Sequence, residues 1–231
     1  MSSQRLPGKP LLEIDNEPLI VHVWRHALEA DIAPVYVATE SPQIAEVVEA
    51  VGGTVIMTKP SHPSGSDRVF EAVEKIDPQN NFTEIVNLQG DQLLLPKNAL
   101  NAALSMLKDP LVDIGTLASL ISAPEATDSN AVKLIGAQIS PERMRALYFT
   151  RAAAPWGEGE FYRHIGVYAY RRAALARFAA LTPSGLEQRE KLEQLRALES
   201  GMRIDVKLLD KAGASVDTQR DITALNSASC S

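Results

Sequence analysis

Arg5-Leu-Pro-Gly-Lys-Pro10 places two cations four residues apart around a Pro-Gly turn. Gly8 permits the tight turn, and Arg5 and Lys9 could converge on phosphate oxygens. Alone, the segment also reads as an ordinary solvated loop. It lacks the upstream glycine and the Ser/Thr after the lysine that a Walker A loop needs. In Asn87-Leu-Gln-Gly-Asp91 a strand ends on a carboxylate, where Mg²⁺ on a nucleotide could use Asp91. A turn aspartate that caps the next helix is the competing account. Val216-Asp217-Thr218 sets a second carboxylate just ahead of a helical pattern, as an N-cap would.

Three further segments carry polar groups at suggestive spacing. His62-Pro-Ser-Gly-Ser-Asp-Arg68 opens a helix, so the N–H groups at Ser64 and Gly65 suit an anion and Arg68 adds a fork; a plain capped loop has the same letters. Arg163-His-Ile-Gly-Val-Tyr168 alternates His164, Gly166 and Tyr168 on one strand face. That face either receives a ligand or meets solvent. Residues 186–196 form a charged amphipathic pattern with Leu192 and Leu195 toward the core, and Glu187, Glu190 and Gln194 on what is most simply its wet face. No Cys/His ligand cluster and no G-x-S-x-G nucleophile elbow is present, which disfavours covalent serine or cysteine chemistry.

These segments need positioning elements. Helical spacing runs over 18–30, from Ser41-Pro42 to Gly52-Gly53, over 69–76, and from Pro96 to about 108. Short apolar strands lie between them at 35–39, 54–57 and 84–88. Alternating strands and helices imply a mostly parallel sheet covered on both faces, with ligands at the carboxyl ends of its strands. The stretch 112–170 differs: strand candidates at 112–118, 131–135, 144–150 and 163–170 follow with few helices between, and Ser122–Glu125 has capping-box spacing. This portion reads as a mixed sheet that protrudes or dimerises. Helices return at 171–180 and 186–200, then a strand at 204–209 and a helix at 218–226.

Composition narrows the class. The 231 residues carry 23 basic and 29 acidic side chains, a net charge of −6, which argues against broad nucleic-acid binding. No apolar run approaches the roughly 20 residues of a membrane span, and the polar start shows no secretory signal. The single cysteine, Cys230, excludes a disulfide framework and favours a cytoplasmic setting.

The order of the motifs is more specific than any one of them. Arg-Leu-Pro-Gly-Lys-Pro at 5–10, Ser-Gly-Ser-Asp-Arg at 64–68, Gln-Gly-Asp at 89–91, Ala-Leu-Tyr-Phe-Thr-Arg…Pro-Trp at 146–156, Arg-His-Ile-Gly-Val-Tyr at 163–168, Leu-Glu…Leu-Glu-Gln-Leu-Arg at 186–196 and Val-Asp-Thr at 216–218 resemble the 3-deoxy-manno-octulosonate cytidylyltransferases (CMP-Kdo synthetases) over essentially the whole chain. The resemblance implies a single nucleotidyltransferase domain over 1–231, an α/β, Rossmann-like sheet with helices on both faces, in which 112–170 supplies the dimerising and sugar-binding portion. It implies a cytoplasmic homodimer that joins CTP to the acid sugar Kdo for lipopolysaccharide synthesis, with Mg²⁺ as cofactor. Arg5 and Lys9 match the triphosphate loop, with Ser64 and Gly65 also toward the nucleotide. Asp91 and Asp217 match the Mg²⁺ carboxylates. Arg68, Gln89, His164, Tyr168, Glu187 and Gln194 match positions that face the sugar.

Two departures stand out. Family members carry an apolar strand and a Pro-Ala-Arg turn ahead of the lysine loop, whereas Ser3-Gln-Arg5 enters that loop directly, as expected of a misassigned or shortened start. Gly-Asp-Gln-Leu at 90–93 replaces Gly-Asp-Glu-Pro, one carboxylate fewer beside Asp91. The alternatives are a cytidylyltransferase for another acid sugar, such as 8-amino-Kdo or a sialic acid, or a non-catalytic homologue.

Overall fold

The computed structural model describes residues 8–93 and 95–210. They divide into two compact units, one built from residues up to Pro78 together with Leu88–Lys97, the other from Gln79–Asn87 and Asn98 onward. No helix among the described residues is long and apolar enough to cross a membrane.

The first unit starts at Gly8, whose φ of 73° turns the chain into a short 3₁₀ segment, Lys9–Leu11. Strands β1 (Glu13–Ile14) and β2 (Glu17–Pro18) form a small hairpin, and α1 (Leu19–Glu29) follows directly. Then come β3 (Tyr36–Thr39), α2 (Pro42–Ala50), β4 (Thr54–Met57) and α3 (Gly65–Ile76), with β3 and β4 paired in parallel. Local chemistry sets these limits. Ser41 accepts from Ile44 N with Pro42 in the first turn, and Gly52 at φ 86° ends α2. The helical stripes meet in two clusters: Ile14, Leu19, Val23 and Leu93, and Ile20, Val21 and Val48 with Trp24, Val37 and Val55 against them.

The second unit holds a six-stranded sheet. Its strands are β5 (Glu84–Leu88), β6 (Ile114–Ile121), β7 (Lys133–Ser140), β8 (Arg143–Thr150), β9 (Phe161–Arg171) and β10 (Ile204–Leu209), in the order β5-β9-β6-β10-β8-β7. Helix α4 (Ala99–Ser105) precedes β6, and α5 (Ala123–Ala126) carries both halves of the expected capping box, Ser122 with Glu125. Helices α6 (Arg172–Ala179), α7 (Gly185–Glu190) and α8 (Gln194–Glu199) come before β10. Gly115 lets α4 lie close to β6, since a Cβ there would stand 2.2 Å from the Ala103 carbonyl oxygen.

Three expectations are corrected. The strands of the alternating first half do not share one parallel sheet: β3 and β4 pair in parallel, but β5 joins the large sheet, which is mixed as expected of 112–170, with β6–β10 parallel and β6–β9, β8–β10, β7–β8 and β7–β9 antiparallel. The apolar run at 84–88 gives no sign of its partner, because a strand buried in a mixed sheet and one buried in a parallel sheet are both apolar on both faces. The single helix at 186–200 is two, because Lys191 adopts a left-handed φ of 59° and ends α7. The helix from Pro96 begins at Ala99 and tightens into a 3₁₀ turn at Met106–Lys108. Arg5, Asp217, Cys230 and the helix expected at 218–226 lie outside the described residues.

Candidate active site

In the first unit, 82 positions of sequence separate two groups that meet. Lys9, 6% exposed, donates from Nζ to Asp91 Oδ2 at 2.9 Å. The turn that follows β5 delivers Asp91: Gln92 N donates to the Gln89 carbonyl at 3.1 Å, and Gly90 lies against Ile20. Gln92 Nε2 approaches Asp91 Oδ1 at 3.3 Å. The carboxylate is thus held from both oxygens, by a cation on one and an amide on the other.

Arg68 projects from α3 to the carboxyl ends of β3 and β4. Its Nη1 reaches Glu40 Oε2 at 2.5 Å and donates to Thr58 Oγ1 at 2.6 Å. Ser64, 2% exposed, accepts from Asp67 N at 3.2 Å and donates to Asp67 Oδ2 at 2.6 Å, which fixes the start of α3. Gly65 is the first residue of that helix. Glu40 and Thr58 were not singled out from the sequence; their signal was only their place directly after apolar strands.

The loop between β4 and α3 is pinned by Glu71. It bonds His62, accepts from Lys59 N at 3.1 Å and pairs with Lys75 at 2.7 Å. Lys75 and His62 hold its carboxyl down at about 2, from an ordinary 4.5. A carboxyl lowered on folding contributes fully above its ordinary value and loses that contribution as pH falls toward the folded value. Melting temperatures of wild type and Glu71→Gln should therefore differ at neutral pH and converge between about pH 4.5 and 2.

In the second unit, β9 carries His164 and Tyr168. A register shift opposite Thr116 and Leu117 leaves Gly166 and Val167 unpaired against β6. His164 packs edge-on to Phe149 with ring centroids 4.9 Å apart and lies 5.3 Å from Tyr168. Burial pushes its imidazole down to about 3, with Arg163 acting in the same direction. Tyr168 donates to Gln194 Oε1 at 3.1 Å, and Gln194 Nε2 is sealed from solvent with no partner among the described residues. Thr116, which lies within the strand candidate at 112–118 and was not singled out from the sequence, joins this group 2.9 Å from His164 Nε2.

The expected sugar-facing set is therefore distributed. His164, Tyr168 and Gln194 are brought together in the second unit; Arg68 and Gln89 belong to the first. Glu187, also in the second unit, has a task in the fold. Its carboxylate takes 2.8 and 2.6 Å bonds from Arg196 and caps α7 together with Ser184.

A family model described as Cytidylyltransferase matches residues 1–204. A 3-deoxy-manno-octulosonate cytidylyltransferase of Rhodopseudomonas palustris (strain BisA53) is 59% identical over 96% of this chain and 90% of its own. The chain belongs to the 3-deoxy-manno-octulosonate cytidylyltransferase family. A second family member, from Methylobacterium sp. (strain 4-46), is 54% identical over 96% of this chain and 90% of its own. A solved structure of CMP:2-keto-3-deoxy-manno-octonic acid synthetase complexed with CTP superposes with TM-score 0.86 at 36% identity, covering 98% of this chain and 93% of that one. UDP-glucose pyrophosphorylase complexed with UDP-glucose, at TM-score 0.69, 13% identity and coverage of 98% and 91%, shares the fold of this cytidylyltransferase, an α/β nucleotidyltransferase fold.

Proposed function

We propose that this cytidylyltransferase joins CTP to Kdo, giving CMP-Kdo and pyrophosphate for lipopolysaccharide synthesis, with the sugar's anomeric hydroxyl attacking the α-phosphorus directly. The observation that carries the reading is the Lys9–Asp91 pair, in a chain 59% identical to a relative of that name. An ammonium beside a carboxylate is what a metal–triphosphate complex requires: the amine meets phosphate oxygens and the carboxylate meets the cation. Direct transfer needs positioning and charge neutralisation more than a protein nucleophile.

Mg²⁺ fits the donor set. It prefers hard oxygen ligands and takes one or two carboxylates plus substrate phosphates. Asp91 supplies such a ligand, and Asp217 is proposed as the second. When bound, the ion would polarise the α-phosphate and offset charge on the departing pyrophosphate. Lys9, with Arg5, would hold the triphosphate; Ser64 and Gly65 would face the nucleotide. In the second unit His164, Tyr168, Glu187 and Gln194 are assigned sugar-facing roles, and in the first unit Arg68 and Gln89 are. Glu187, bonded by Arg196, also holds α7 against α8. We further assign residues 112–170 to dimerisation and sugar binding within one nucleotidyltransferase domain, in a cytoplasmic homodimer.

The test is pyrophosphate release. CTP, Kdo and Mg²⁺ together should yield pyrophosphate and CMP-Kdo; omission of Kdo or metal, or UTP in place of CTP, should not. Turnover of a sialic acid in place of Kdo, or CTP-dependent thermal stabilisation with no turnover of any acid sugar, would overturn the reading.

A further inference from the structure

The hydrogen bonds around Thr116 determine where the proton on His164 sits. Thr116 Oγ1 lies 2.6 Å from the Val167 carbonyl oxygen and 2.9 Å from His164 Nε2. The Ile165 carbonyl, at 3.5 Å, is too distant to compete. A hydroxyl has one proton to give. Two oxygens 2.6 Å apart, one of them a carbonyl that cannot donate, need that proton between them. Toward His164, Thr116 therefore has only a lone pair to offer, and Nε2 must be the nitrogen that carries hydrogen.

The rest follows from the ring. It is kept neutral by burial between Phe149 and Tyr168. In a neutral imidazole, hydrogen on Nε2 leaves Nδ1 as an acceptor. The register shift in β9 makes the arrangement possible, because it carries the Val167 carbonyl to the Thr116 hydroxyl.

We propose that Thr116 is a positioning residue that holds His164 as the Nε2–H tautomer, so that Nδ1 accepts a hydrogen bond from a hydroxyl of the acid sugar and does not bind its carboxylate. This rests on the reading of the second unit as the sugar-binding part. A carboxylate at neutral pH has no proton to give and meets an acceptor lone pair with repulsion. His164 thus selects for a donor at one position of the sugar, and the carboxylate must be met by other groups.

Two-bond ¹H–¹⁵N spectra of the uniformly labelled full chain test this directly. Without ligand, the His164 ring should show Nε2 protonated and Nδ1 bare at neutral pH. Saturating Kdo should move the Nδ1 resonance in the direction of accepted hydrogen bonding and leave Nε2–H in place. Thr116→Val should raise KM for Kdo about tenfold, the loss of one hydrogen bond, with kcat within about threefold, and Thr116→Ser should restore the wild-type value. A proton on Nδ1, or an imidazolium, in the unliganded spectrum would overturn the tautomer even if Kdo is turned over. A bare Nδ1 that does not respond to Kdo in an enzyme that turns Kdo over would overturn the acceptor role. Absence of turnover with CTP would count against the reading of the site, while the unliganded spectrum would still decide the tautomer. If Thr116→Val does not fold, the two wild-type spectra suffice.

Discussion

Asp91→Asn should lower Kdo-dependent pyrophosphate release by about 10²–10³-fold at saturating CTP, the cost of removing one charge-stabilising group from a transition state. Asparagine keeps the volume and one acceptor oxygen, so Gln92 Nε2, now 3.3 Å from Oδ1, can still find an acceptor. It removes the negative charge that faces Lys9 at 2.9 Å and would ligate Mg²⁺. The loss should fall on kcat, since the metal is asked to act where charge develops, and raised Mg²⁺ should recover part of the rate. Lys9→Met tests the other half of the pair. It should raise KM for CTP more than it lowers kcat, because the amine contacts phosphate before and during transfer. Equal activity of Asp91→Asn and wild type would remove Asp91 from the machinery. A folded, CTP-stabilised but inactive variant would place it there.

The parts of this site that could be read from sequence are those set by neighbours in the chain. The strands at 54–57 and 204–209 occur where their apolar runs begin and end, and Ser122 meets Glu125 because a capping box is a four-residue device. The Lys9–Asp91 contact spans 82 positions, and each residue alone had a plain alternative as a solvated cation or a turn aspartate. Only their order among the other motifs, through family resemblance, raised them above that. Thr116 could not be found in this way. A threonine inside a buried strand differs from a valine in one atom, and its meaning depends on a register shift in a strand some fifty positions on. Glu187 shows the opposite failure. Helical spacing placed it on a wet face, but the left-handed turn at Lys191 folds α8 back so that Arg196 covers it. A single residue's φ decides between a solvated carboxylate and a buried ion pair.

That ion pair yields the largest expected effect on stability. Arg196 is 1% exposed and Glu187 5%, and the guanidinium lies 4.4 Å from the centroid of the Phe178 ring while it holds both carboxylate oxygens. Arg196→Met keeps much of the side-chain volume against Phe178 but strands a buried carboxylate. Breaking such a pair from one side costs about 3–5 kcal/mol, against a total stability of about 5–15 kcal/mol. Urea unfolding of this variant should show a midpoint lowered by that cost divided by the slope, with the slope itself unchanged. Glu187→Gln together with Arg196→Met removes both charges, so the double variant should be more stable than Arg196→Met alone, although it carries one more substitution. The same geometry predicts which activity changes. Gln194 opens α8 and receives the Tyr168 hydroxyl, so loosening α8 should raise KM for Kdo and leave KM for CTP near wild type. A double variant no more stable than Arg196→Met would mean that the cost lies in lost packing against Phe178 and not in the uncovered charge.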